Sequence, residues 1–327
     1  MCKTFFPLLF AFTTCLIIFG TLEVATRLFI DDGYQYDLEM WKYARSAKKI
    51  SEDPKIGHVH QPGARVHAMG VQIDINSDGF RDREFSIKKM PDTTRIMMLG
   101  DSLTFGWGVA VEDTTAKKLE EILLLNDRKV EVINTGIGNT NTSMQVASFL
   151  ANHKKYQPDV ILLNYFINDA EMTPIHTHPG FLVKHSYALH FLKGRFDILL
   201  RKFSNTRQDW RQYYLNLYET QGYWIEAKNA IADLVLYCRA NGIELRLVNY
   251  PVIRELNPYP FSEITKKIKS VADENSLEFL DLYMSIKDQE ENTLWVTPLD
   301  PHPNAIADTI YANAIATWLE NTFDFIE

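Results

Sequence analysis

The chain has 327 residues, 46% hydrophobic and 23% charged, which is enough length and apolar content to bury a large core in one main domain. A formal net charge of −8 leaves no basic surplus to meet phosphates, so nucleic acid is excluded as an expected partner. Cys2 and Cys15 fall in an N-terminal apolar segment, leaving Cys238 by itself in the rest, without the means for an internal disulfide or a cysteine metal site.

Phe5 to Leu22 is an uncharged run of 18 residues, about 27 Å long as a helix, and can just span a bilayer. Lys3 and the free amine would also suit a cleaved signal peptide, but no small-x-small site follows, only Gly20-Thr21-Leu22-Glu23. Cys15, behind Phe12-Thr13-Thr14, makes a poor lipoprotein signal. The reading is a single-pass anchor over residues 1–30 with the amino end inside and the bulk of the chain extracytoplasmic, although Arg27, Lys42 and Arg45 partly oppose that orientation.

Residues 31–90 read as an extension of loops and one short strand, with turns at Gln61-Pro62-Gly63 and Ser77-Asp78-Gly79 and alternation in Val71-Gln72-Ile73-Asp74-Ile75. From about residue 91 to 327 the pattern becomes α/β. Strands are predicted at Ile96–Leu99, Val130–Asn134, Val160–Asn164, Glu244–Asn249 and Leu277–Leu282. Helices are predicted at Asp113–Leu125, Asn141–His153, Tyr223–Ala240, Phe261–Glu274 and Asn304–Glu320. Five buried strands alternating with helices imply a parallel sheet covered on both faces.

A helix-rich insertion, about residues 171–221, interrupts the alternation after the third strand. Its stretch Ser186–Phe203 is apolar on one side and carries Lys193, Arg195, Arg201 and Lys202, either a solvated face or a stripe laid on anionic headgroups or an anionic polymer. Trp210, Tyr213, Tyr214, Tyr218, Tyr223 and Trp224 read first as the packed face of helices, and second as a lid over the carboxyl end of the sheet that stacks on a sugar ring.

In an open parallel sheet ligands gather at the carboxyl ends of the strands, and four polar features fall there. The first strand runs into Gly100-Asp101-Ser102-Leu103, the second into Asn134-Thr135-Gly136-Ile137-Gly138-Asn139 and the third into Tyr165-Phe166-Ile167-Asn168-Asp169. Asp300-Pro301-His302-Pro303-Asn304 precedes the last helix. Singly, each has an ordinary reading as a capping turn or a loop fixed by prolines. Together they hold the parts of acyl transfer. A serine hydroxyl is a weak nucleophile at neutral pH and needs a base, a role open to His302, and an acid that holds the tautomer of that base, open to Asp300. The oxyanion needs donors, and the Ser102 N–H, an N–H in Gly138-Asn139 and the Asn168 amide are the candidates.

These blocks resemble those of the SGNH or GDSL hydrolases, with Gly100-Asp101-Ser102-Leu103-Thr104-Phe105-Gly106 the closest match. Asn76-Ser77-Asp78-Gly79-Phe80-Arg81 ahead of them is similar to bacterial membrane-anchored members, so the resemblance covers roughly residues 56–320. It implies a flavodoxin-like three-layer α/β/α fold with a five-stranded parallel sheet, Ser102 as nucleophile, Asn168 as oxyanion donor and His302 as base. Three departures stand out. Counting five from Asn134, where the family usually has its glycine, gives Asn139, with Gly138 one short. Phe166 stands two before Asn168, where glycine is common, which narrows the pocket. Asp300 is two before His302 rather than three, which leaves Asp281 as an alternative acid.

No Gly-x-Ser-x-Gly elbow, Walker loop or Gly-x-Gly-x-x-Gly run follows any strand, so no cofactor is expected. His176-Thr177-His178 reads as a loop rather than a metal pair. The expected function is carboxylic ester hydrolysis through an acyl-Ser102 intermediate, with an O-acetyl group on an envelope carbohydrate or lipid as the substrate suggested by resemblance and anchor. Acyl transfer to a polysaccharide hydroxyl and an inactive binding scaffold are the alternatives. The expected partners are the ester substrate and the membrane.

Overall fold

The computed structural model describes residues 2–173, 180–203, 210–219 and 222–326. Helix α1 (Cys2–Ala25) runs into a π turn, Thr26–Ile30, and Phe6–Ile30 is long and apolar enough to cross a membrane. The extension is more ordered than its polar sequence predicts. Tyr36–Ala47 is a 12-residue helix, α2, started by the Gln35 side chain, which accepts from the Leu38 N–H at 2.7 Å. Asp37 and Glu39 in its first turn and Arg45 in its last suit the helix dipole, and Leu38, Trp41, Tyr43 and Ala47 are buried. Strands Arg65–Ala68 and Val71–Asp74 form a hairpin whose turn residues, Met69 and Gly70, both have positive φ. A second small pair joins Lys48–Ile50 to His58–His60.

The main sheet has five parallel strands, β1 (Thr94–Leu99), β2 (Val130–Asn134), β3 (Val160–Tyr165), β4 (Glu244–Asn249) and β5 (Glu278–Asp281), in the order β2-β1-β3-β4-β5. The helices that follow are α3 (Thr115–Leu125), α4 (Thr142–Ser148), α5 (Tyr187–Phe203) and α6 (Trp210–Glu219) of the insertion, then α7 (Tyr223–Asn241), α8 (Ser262–Glu274) and α9 (Ala305–Thr322). Alternate strand residues feed opposite layers. Met97, Leu99, Ile133, Ile161, Leu163 and Leu247 pack with α4, α7 and α8, while Ile96, Met98, Val132, Leu162 and Val248 pack with α3 and α9. This is the flavodoxin-like three-layer arrangement, with the expected strands and helices displaced by a few residues at most. The predicted helix from Asn141 changes character at Phe149, where a π turn and then a 3-10 turn carry the chain to Tyr156.

Of the aromatics in the insertion, Tyr218 and Trp224 are buried against Tyr165 of β3. The Tyr165 hydroxyl lies 2.8 Å from that of Tyr218, which donates to the Ile167 carbonyl at 3.0 Å. Trp210 and Tyr214 meet the Phe261 ring edge-on. The packed-face reading of these side chains is the one their contacts follow.

Chain order around β1 brings two turns into direct backbone contact. A β-carbon on Gly136 would lie 2.3 Å from the Phe105 nitrogen and 2.7 Å from the Thr104 carbonyl carbon, and backbone cannot yield as a flexible side chain would. Gly136→Ala is therefore expected to destabilise the protein by about 3 kcal/mol, read as a lowered unfolding midpoint of the full chain in detergent.

Candidate active site

Strand β1 ends at Gly100, and Asp101 turns the chain into one helical turn, Ser102–Phe105, by accepting the Leu103 N–H on its carboxylate at 2.9 Å. Ser102 thus stands at the head of that turn, over the carboxyl end of the sheet. His302 comes from a short strand, Asp300–Pro303, paired antiparallel with Trp295–Thr297. Asn304 then starts α9 by accepting the N–H groups of Ile306 and Ala307.

Ser102 Oγ lies 3.0 Å from His302 Nε2, and His302 Nδ1 lies 2.5 Å from Asp300 Oδ1. A carboxylate accepts only, so Nδ1 carries the imidazole proton and Nε2 faces the hydroxyl as an acceptor. The His302 N–H also donates to Asp300 Oδ1 at 3.2 Å, and Trp107 Nε1 donates to Asp300 Oδ2 at 2.9 Å. Burial works to raise the Asp300 carboxyl, but the His302 and Trp107 donors outweigh it and hold the group below the usual carboxylate range. Asp281, the alternative acid, instead accepts from Asn249 Nδ2 at 3.0 Å and from the Tyr283 N–H at 3.2 Å.

Of the two residues open for the second block, Gly138 is the one against the serine. A β-carbon there would be 3.7 Å from Ser102 Cβ and 3.4 Å from the Tyr43 ring, whereas Asn139 is exposed and left-handed, with φ +60°. Asn168 stands near the buried Asp101 carboxyl. Burial pushes that carboxyl up, and the Leu103 N–H, His302 and Asn168 pull against it. Asp169 is also buried, and desolvation together with the charge of Asp101 drives its carboxyl well above its usual range.

Sequence reasoning missed the contribution of the extension. Tyr36 of α2 stacks on His302 with ring centroids 6.1 Å apart and meets Trp107 edge-on at 6.4 Å. The buried Tyr43 hydroxyl lies 2.5 Å from His60 Nε2, and His60 Nδ1 lies 3.1 Å from the Gly79 carbonyl. The carbonyl fixes the proton on Nδ1, so Tyr43 donates to Nε2, and desolvation keeps His60 neutral by lowering it to about 3. Arg81, fully buried, donates to the carbonyls of Phe105, Gly106 and Val109 and so clamps the loop that leaves the Ser102 turn. Lys48 Nζ donates to the Gly138 carbonyl, with His58 Nε2 3.3 Å from the amine and 3.2 Å from the same carbonyl. Desolvation lowers the Lys48 ammonium to about 7. The only early signal was Asn76-Ser77-Asp78-Gly79-Phe80-Arg81. His176 and His178 lie outside the described residues.

The Lys48 contact is expected to matter for rate rather than binding, because it fixes the segment beside Ser102. Lys48→Met should lower kcat by about tenfold with little change in KM, as expected for losing one charge-assisted hydrogen bond of about 1.5 kcal/mol, and Lys48→Arg should restore part of it. Steady-state hydrolysis of p-nitrophenyl acetate checks this.

No curated protein matches the chain. Among solved structures, it is similar to a lipase/acylhydrolase from Enterococcus faecalis, at 13% identity over 72% of this chain and 99% of that one, with a TM-score of 0.47. It is also similar to a catalytic mutant of Axe2, an acetylxylan esterase from Geobacillus stearothermophilus, at 17% identity over 72% and 96% of the two chains, with a TM-score of 0.46. A two-domain esterase active on acetylated mannans matches at 17% identity over 70% of this chain and 49% of that one, with a TM-score of 0.44. The profile of the GDSL-like lipase/acylhydrolase family matches residues 98–307, which take in Ser102, Gly138, Asn168, Asp300 and His302, and the chain belongs to that family of carboxylic ester hydrolases.

Proposed function

We propose that the protein hydrolyses its ester through an acyl-enzyme on Ser102. The observation that carries this reading is the continuous line from Ser102 Oγ to His302 Nε2 at 3.0 Å and from His302 Nδ1 to Asp300 at 2.5 Å. In the first step His302 Nε2 takes the hydroxyl proton as Oγ bonds to the ester carbonyl carbon, and the Asp300 carboxylate stabilises the imidazolium. The oxyanion is met by the Ser102 N–H, which as a first-turn amide is not used by the helix's own bonds, by the Gly138 N–H and by the Asn168 amide. His302 then gives its proton to the departing alcohol oxygen. Water, deprotonated by the same nitrogen, attacks the acyl carbon and frees the acid.

The substrate that fits best is a small acyl ester, such as an O-acetyl group, on an envelope carbohydrate or lipid. Two features support it: Phe166, which stands where the family often has glycine, and the apolar helix at the amino end, read as a single-pass anchor with the catalytic part outside the cytoplasm. On this reading residues 1–30 tether the protein, residues 31–90 complete the site and residues 91–327 form the hydrolase domain, with an insertion at about 171–221.

A fluorophosphonate probe is expected to label the protein, and Ser102→Ala to abolish the labelling. Labelling that survives in that variant sinks the nucleophile assignment. Asp300→Asn, which reverses the preferred tautomer of His302, should reduce kcat by about 10⁴-fold, while Asp281→Asn should leave turnover within a fewfold of the parent. Release of free acid from acetylated oligosaccharides, measured with the full chain in detergent, checks the substrate class.

A further inference from the structure

The apolar helix at the amino end is built into the folded domain rather than strung in front of it. The Glu23 carboxylate accepts from Ser186 Oγ at 2.8 Å, from the Ala188 N–H at 3.0 Å and from the Tyr187 N–H at 3.2 Å, and so caps the start of α5. Arg27 donates to the His185 carbonyl at 3.2 Å, and its guanidinium lies 4.1 Å over the Tyr187 ring. From the other side, Trp41 of α2 stacks on His190 with centroids 4.6 Å apart, and Arg195 pairs with Asp37 at 2.8 Å. Glu23 is the first charge after the uncharged run and lies about two helical turns before the end of the apolar helix at Ile30, so the start of α5 is pinned at headgroup level.

Around this junction apolar side chains face outward. Phe181 is 76% exposed, Leu182 61% and Phe196 57%, and Leu192 lies one helical turn from Phe196 on the same face of α5. Leu28 and Phe29, in the last turn of the span, are also exposed, and that turn packs against α5. Lys184 and Lys193 stand exposed in the same segments. Soluble surfaces seldom gather so many large apolar groups, whereas a helix lying in a lipid interface needs them, with basic residues at headgroup level.

We propose that the Phe181–Phe196 face lies in the headgroup boundary of the bilayer that holds the anchor, so that the catalytic domain is fastened to the membrane surface at two points and acts on esters borne at that surface. This rests on the anchor reading given above and deepens it. Asp31–Gln35 alone separate the span from Tyr36, whose ring stacks on His302. At about 3.5 Å per residue, such a tether keeps the histidine within about 30 Å of the bilayer, and the second contact prevents the domain from swinging about it.

The test uses the full chain in liposomes containing anionic lipid, with Cys2, Cys15 and Cys238 replaced by serine and one nitroxide placed at Phe181→Cys, Phe196→Cys or, as a control on a distant exposed helix, Leu124→Cys. The expected result is that the liposomes float with the protein and that nitroxides at 181 and 196 relax with oxygen in preference to a water-soluble nickel chelate, with the opposite order at 124. Floating protein whose labels at 181 and 196 behave like that at 124 overturns the interface and spares the anchor. Protein that does not float overturns both.

Discussion

The hydrogen bond from Ser102 Oγ to His302 Nε2 joins residues 200 positions apart, and the fold is arranged so that it can close. Ser102 follows β1, which lies between β2 and β3 and is buried along its whole length. His302 stands just before α9, whose Ala307, Tyr311, Ala312, Ile315, Ala316 and Leu319 are buried in the layer shared with α3. Burying each large side chain of that helix contributes roughly 1.5–3 kcal/mol, against about 1 kcal/mol net for a neutral hydrogen bond. The core therefore sets the distance between hydroxyl and imidazole, and the hydrogen bond reports it. Asp300 and Trp107 refine the orientation of a ring whose position is already fixed.

The extension takes part in the same arrangement. Asp82 accepts the Asn134 N–H at 2.9 Å and pairs with Lys117 at 2.7 Å, which ties residues 31–90 to β2 and α3. Arg81 saturates three carbonyls behind the serine turn, each of which would cost about 1–3 kcal/mol if left buried without a donor. Tyr36, Tyr43 and Lys48 line the histidine and the Gly138 segment from the opposite side. A segment that looks like a spacer in sequence thus walls the site on one side.

The sheet was legible because its strands are short, largely apolar runs ended by glycine, asparagine or aspartate, and because period and length separate them from the helices. The serine, histidine and acid were legible because each follows a strand or precedes a helix at the same end of the sheet. Lys48, His60 and Tyr43 were not, since nothing local distinguishes a half-buried lysine from a surface one; their meaning comes from contacts across the fold with Gly138 and Gly79. The helix at Tyr36–Ala47 was hidden by its charges, several of which are satisfied internally: Glu39 is fully buried, pairs with Lys42 and accepts the Met69 N–H. Counting residues left the second block open between Gly138 and Asn139, because the chain from Asn134 makes its own turn, and spacing alone could not show that Gly138 packs against Ser102.

On the proposed mechanism, an acidic protein that stabilises an oxyanion faces an electrostatic conflict, which the surroundings of Ser102 reduce. Two carboxyls, Asp101 and Asp169, sit close enough to repel one another, and both would oppose negative charge on the substrate if ionised. Burial pushes both upward, and at Asp169 the charge of Asp101 adds to the push, which favours the less charged forms of the pair. Asp300 keeps its charge because His302 and Trp107 donate to it, and there a negative charge is useful, facing an imidazolium. Lys48 adds the opposite sign on the Gly138 side. Its amine is desolvated, so holding the proton is costly, and the lowered value means that the cost is fully present below about pH 7 and fades as pH rises toward its unfolded range. The sign of this effect is that of a group placed for something other than stability. A lysine in water would serve the fold better, and its position against the Gly138 carbonyl is where that loss of stability is set against control of the segment beside Ser102.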